Sequence, residues 1–195
     1  MAAQDSRPWL VMITGEPGSG KTSLGLLLST ALRVPFLSRD QVRGGSLATA
    51  GLWTGRLRQQ VPREAAVDAF VEIVEAMARA GVSSVVEFVV TPAREPAFER
   101  LEAAARCLVI LTTATDAAER AARRDRVDPL LTRPEVLAAI GHRSIDDYLD
   151  APERELVRAQ MRTEFDLPLL RVATDDGYAP CMPDIVDWVI ARTLA

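Results

Sequence analysis

At 195 residues, with a formal net charge of −4, 48% apolar and 26% charged residues, the chain has the make-up of one well-buried globular domain and not of a disordered, collagenous or membrane-spanning protein. Two cysteines, Cys107 and Cys181, are too few for a disulfide framework, and the lone histidine, His142, without a Cys-x-x-Cys pair, leaves no usual structural zinc site; free thiols and a hard cation on oxygen ligands are expected instead. The negative balance argues against bulk nucleic-acid binding, although clustered arginines could still form a local basic face.

Met1 to Arg7 is polar and contains no secretory or membrane-spanning run, which predicts a cytoplasmic protein. Trp9 to Thr14 follows as an apolar run of strand length without polar alternation, the pattern of a strand buried on both faces of a parallel sheet. It feeds into Gly15-Glu16-Pro17-Gly18-Ser19-Gly20-Lys21-Thr22, which fits the phosphate-loop pattern G-x-x-x-x-G-K-[ST] at every fixed position. Lys21 is the single lysine of the chain, against twenty-two arginines. A compact ammonium suits the space between the β- and γ-phosphates of a nucleotide better than a wide planar guanidinium does. Leu24, Leu27, Leu28, Ala31 and Leu32 then recur at helical spacing, so Lys21, Thr22 and Ser23 fall in the first turn of a helix, whose free N–H groups favour an anion.

Beyond this helix, Val34 to Ser38 reads as a short second strand, and about Arg63 to Ala80 as a long helix ending at Gly81. Ser84 to Val90 predicts a third strand, Glu95 to Ala105 a helix, and Cys107 to Leu111 a fourth strand. A charged helical stretch leads to the fifth strand, Leu169 to Ala173, and a helix over about Asp184 to Thr193 follows. Strands alternating with helices imply an α/β fold with a parallel sheet covered on both faces, and function beyond the carboxyl ends of its strands.

Three charged features fall at those ends. Asp40, in Ser38-Arg39-Asp40-Gln41-Val42-Arg43, can take the proton that a hydroxyl nucleophile loses as it attacks phosphorus, with Arg39 and Arg43 beside the acceptor; it is also placed to cap the next helix. Glu87, the one charge in the third strand, must be paired, hydrogen-bonded or near a metal, so it holds a magnesium-bound water, orients the acceptor, or pairs structurally with an arginine. The run Arg120 to Val127, with Arg120, Arg123 and Arg126, either folds over the triphosphate as a lid of about residues 120–133 or is a solvated helix face. It is alanine-rich and has no apolar stripe to anchor it, as an element able to open and close would be. Gly44 to Val61, with Arg56 and Arg58, lacks clear periodicity. Trp53 there, between Gly51 and Gly55, is an aromatic wall for the acceptor or a core anchor.

Taken together, the loop from Gly15 to Thr22, the Arg39-Asp40-x-x-Arg43 element and the Arg123-x-Asp125-Arg126-Val127 stretch resemble small P-loop kinases: the chloramphenicol phosphotransferases, the zeta-toxin-like kinases and the kinase domain of phage polynucleotide kinase. Leu170 to Tyr178 is similar to their last strand and the loop whose backbone lies against adenine. The resemblance spans nearly the whole chain. It implies one P-loop NTPase domain over residues 1–195, a three-layer α/β/α fold with a five-stranded parallel sheet and a lid, like the nucleoside monophosphate kinases. It implies ATP and Mg2+ as well, with Lys21 and Thr22 on phosphate and metal, Gly15, Gly18, Ser19, Gly20, Ser23 and Arg120 around the nucleotide, Asp40 as base, Arg123 and Arg126 as lid cations, and Arg39, Arg43, Trp53 and Glu87 toward the acceptor. Many relatives carry aspartate where Glu87 stands, and chloramphenicol as acceptor does not carry over. The expected activity is transfer of the γ-phosphoryl group to a hydroxyl of a small molecule. A nucleotide or nucleic-acid 5′-hydroxyl kinase and a nucleotide-binding regulator without transfer activity remain as alternatives.

Overall fold

Main-chain pairing in the computed structural model, which describes residues 7–59 and 62–193, joins five parallel strands into one sheet. The polar N-terminal stretch, save for Arg7, and Val61 lie outside the described residues. In chain order the elements are β1 (Trp9–Gly15), α1 (Lys21–Leu32), β2 (Phe36–Ser38), α2 (Arg39–Thr49), α3 (Arg63–Arg79), β3 (Ser84–Glu87), α4 (Glu95–Ala104), β4 (Arg106–Thr113), α5 (Ala117–Arg126), α6 (Pro134–Ala139), α7 (Ile145–Leu149), α8 (Pro152–Gln160), β5 (Leu169–Ala173) and α9 (Met182–Thr193), with 3₁₀ turns at Leu52–Thr54 and Pro92–Arg94. The strand order is β2-β3-β1-β4-β5.

The central strand explains the two cores. Because successive side chains of a strand point to opposite faces, Leu10 and Met12 pack with Phe70, Val74, Phe98 and Leu101 of α3 and α4, while Val11 and Ile13 pack with Leu24, Leu28, Ile185 and Val189 of α1 and α9. Both faces of β1 are therefore dry, as its unbroken apolar run requires. Register then sets the site. Ile13 stands beside Glu87 of β3 and Ile110 of β4, Ser38 beside Glu87, and Gly15 beside Thr112, so the carboxyl ends of β1, β2, β3 and β4 open on one edge.

Several element bounds depart from the sequence reading. β2 begins at Phe36 because Pro35 has no N–H for the ladder; its carbonyl instead accepts Val85 N. β3 ends at Glu87, where its partner β2 also ends; Phe88 still reaches Ile13 O at 3.1 Å. β4 runs on to Thr113, because it is paired on both sides, by β1 to Thr112 and by β5 to Thr113. The aperiodic segment after β2 starts as α2, a helix with no buried residue that spans Gly44 and Gly45, which hid it from a reading based on apolar spacing. Both cysteines are free: Cys181 is exposed, and burial pushes the Cys107 thiol up to about 12. Among the described residues no helix is long and apolar enough to cross a membrane.

Two glycines give opposite expectations. A methyl at Gly25 would overlap the ring of Phe36, whereas one at Gly44 meets nothing. In chemical denaturation Gly25→Ala should lose about 1–3 kcal/mol, and Gly44→Ala should gain about 0.5–1 kcal/mol. A thiol titration should find Cys181 reacting at once and Cys107 only on unfolding.

Candidate active site

The loop between β1 and α1 is held by hydroxyls from strands distant in sequence. Thr112 Oγ1 donates to Thr14 O at 3.1 Å, so the 2.7 Å contact between Ser19 Oγ and Thr112 Oγ1 has Ser19 as donor. Thr174 Oγ1 lies 3.2 Å from Ser19 O. Inside the loop, Ser19 N donates to Glu16 O. Gly15 and Gly18 have φ of 143° and 90°, and a Cβ at Gly18 would overlap the Ala117 carbonyl at the start of α5. Gly20 is the N-cap of α1 and offers no side-chain cap, and no acid lies in that helix's first turn, so the first amides are left for an anion.

Lys21 is 7% exposed, and its Nζ donates to Glu16 O at 2.7 Å. Burial lowers its pKa; the charges of Glu87 and Asp40 oppose that shift, Arg124 adds to it, and Glu16 opposes it. Beside it, Thr22 Oγ1 donates to Glu87 Oε2 at 2.8 Å, and Glu87 is buried at the end of β3. A hydroxyl and a carboxylate at hydrogen-bond distance next to a phosphate loop are the oxygen donors that Mg2+ takes when most of its shell is water and phosphate, so these residues fit that ion. Ser23 follows on the exposed side of α1.

Across the edge, Asp40 lies in the first turn of α2, its side chain 70% exposed and paired with Arg39 at 2.7 Å. The N-cap is Ser38, so the capping role considered for Asp40 is not realised. Arg43 lies one turn further on and is half-buried. Trp53 is 63% exposed, which overturns the core-anchor reading; its carbonyl accepts from Arg133 at 2.8 Å. His142 faces Asp147 and stacks edge-on against Tyr148, in a polar loop.

The arginine run divides by partner. Arg120 donates to the carbonyls of Thr174 and Asp175 at 2.8 and 3.0 Å and pairs with Asp116, bracing the loop after β5. Arg123 pairs with Glu119 on the exposed face of α5, and Arg126 with Asp146 of α7. Arg124, not singled out in the sequence, is the run's cation whose charge acts on Lys21. It pairs with the buried Asp125, which also holds Arg154 of α8 at 2.8 Å. The expected absence of an anchor is corrected here: Ala117, Ala121 and Asp125 are buried along one side of α5. The segment from α5 to α8 is more helical than a 120–133 lid implies. Arg162 pairs with Glu95 at 2.5 Å and lies over the rings of Phe98 and Phe165, within the packing of α4. Thr112 and Thr174 also escaped the sequence reading; hydroxyls at the carboxyl ends of two neighbouring strands were the available signal.

The chain matches no family model and no curated sequence. Among solved structures it is similar to a presumptive kinase from Chloroflexus aurantiacus, at 25% identity over 97% of each chain with a TM-score of 0.66. It shares its fold with a gluconokinase from Sinorhizobium meliloti, at 14% identity over 95% of this chain and 94% of that one with a TM-score of 0.56. It also shares it with the APS kinase of Mycobacterium tuberculosis solved with AMPPNP and APS, at 18% identity over 94% and 98%, TM-score 0.56. The five-stranded parallel sheet with helices on both sides is thus a P-loop NTPase fold of the kind these kinases have.

Lys21 is the single lysine of the chain, so its removal is a clean test of the loop. Lys21→Ala should weaken AMPPNP–Mg2+ binding by at least about tenfold in isothermal titration, with the denaturation midpoint as the check on folding. Unchanged affinity in a folded variant would remove the phosphate site from the loop.

Proposed function

We propose that the chain is a single-domain kinase that moves the γ-phosphoryl group of ATP to a hydroxyl of a small molecule, in the cytoplasm. The observation that carries this reading is the placement of Lys21 and the Thr22–Glu87 pair at one sheet edge, with the charge of Asp40 close enough to act on the Lys21 ammonium. A cation for phosphate, oxygen ligands for a metal and a solvent-facing base in one cleft are the parts that phosphoryl transfer needs. The neighbours named for gluconate and APS support a small-molecule acceptor.

In this reading the loop amides and Lys21 hold the phosphates, the ammonium leaving the Glu16 carbonyl for phosphate oxygens. Thr22 and Glu87 would hold Mg2+, which supplies neutralisation of charge on the transferred group. Arg39 fixes the Asp40 carboxylate, which takes the acceptor's proton as its oxygen attacks. Arg43 and the exposed Trp53 line the acceptor side, and Arg120 holds the loop against the base. In this reading the α5–α8 segment keeps water from the transfer, and Arg124 is its cation whose charge acts on Lys21.

Screening hydroxyl-bearing metabolites for acceptor-dependent ADP release identifies the acceptor. With it, Asp40→Asn should keep the affinity for AMPPNP and lower turnover about a hundredfold. Weakened nucleotide binding with unchanged turnover would make Asp40 a metal or structural residue. ATP loss indifferent to every acceptor, together with a nucleotide-dependent protein partner, would favour the regulator.

A further inference from the structure

The second position of the phosphate loop carries an acid. A carboxylate beside a triphosphate is repulsive, so Glu16 is costly to nucleotide binding unless it has another use. In this structure it engages two cations. Its main-chain carbonyl accepts from Lys21 Nζ at 2.7 Å, and its carboxylate Oε2 lies 3.9 Å from Arg158 Nε.

Arg158 is brought there by a buried anchor. The side chain of Asp125 on α5 is 4% exposed and pairs with Arg154 at 2.8 Å; Arg154 also lies over the ring of Tyr148. One turn further along α8, on the same side of the helix, Arg158 reaches the loop. Its Nε is buried and, among the described residues, donates no hydrogen bond. A guanidinium fixed over an anion-binding loop with a buried N–H unspent is built to meet an acceptor. Arg123 and Arg126 are differently placed, being engaged with Glu119 and Asp146.

We propose that Arg158 contacts the phosphates of the bound nucleotide and that Glu16 holds its place until they arrive. Entry of the triphosphate then takes both cations from Glu16 together: Lys21 from the carbonyl and Arg158 from the carboxylate. The exchange couples filling of the loop to the passage of Arg158, on α8, from Glu16 to the phosphates. It rests on the kinase reading only in needing a triphosphate in the loop.

The test is a double-mutant cycle on AMPPNP–Mg2+ affinity by isothermal titration, with no acceptor present. Arg158→Met should weaken binding about tenfold, as loss of a charge-assisted phosphate contact does. Glu16→Gln should tighten it about threefold to fivefold, the scale of a partly exposed ion pair. In the Arg158→Met background most of that gain should vanish. Equal tightening in both backgrounds would reduce Glu16 to a repulsive charge and overturn the exchange, as would no tightening at all. Denaturation midpoints check folding, and Arg158→Lys, which keeps the charge, should recover part of the lost affinity if the contact is with phosphate. If the wild type binds no AMPPNP–Mg2+, the kinase reading falls and this inference with it; a wild type that binds with a flat cycle sinks the inference alone.

Discussion

One buried ammonium governs the layout of the site. Lys21 is nearly inaccessible, and its direct hydrogen bond among the described side-chain contacts is to a neutral carbonyl, that of Glu16. Such a charge is stable only in a balanced field: Glu87 and Asp40 favour it from the ends of β3 and β2, while burial and Arg124 disfavour it. The acids of the cleft therefore have a structural task alongside any chemical one. Neutralising either should make the amine easier to deprotonate, and an arginine in its place would have to bury a larger, wider head.

The sheet makes that balance possible. Parallel pairing sets Glu87 beside Ile13, and Thr22 follows one loop later, so a carboxylate and a hydroxyl from positions far apart in the chain arrive at 2.8 Å. The short β2 ends at Ser38, and α2 begins at once, which puts Asp40 on the exposed first turn of a helix and not within the sheet. Helices α1 and α9 on one face and α3 and α4 on the other fix these strands through two separate apolar cores. The edge where the strands end is left to polar residues.

What could be read in the sequence was whatever is local. The apolar run of β1 and the periodic α1 and α3 each carry their signal within a short stretch of neighbouring residues, and all three appear in place, with Glu16 to Gly20 joining the first two. The polar contacts were less legible because they depend on which turns of different helices meet. Arg123 and Arg124 are adjacent in sequence, yet one faces Glu119 and the other the buried Asp125. Arg158 was hidden in a charged stretch that no periodicity distinguishes from a solvated helix. Trp53 could not be assigned between core and surface, since the glycines around it gave no face to compare; the 3₁₀ turn leaves it outward.

The loop's shape also has a consequence for how the molecule comes into being. Ser19 is held by Thr112 from 93 residues later in the chain and by Thr174 from 155 residues later. A growing polypeptide thus possesses every letter of the phosphate motif long before it possesses the hydroxyls that give the motif its form. Competence to hold nucleotide is then a late event in assembly, arriving with β5, and nucleotide present during synthesis can reward completion of the sheet but cannot template its beginning.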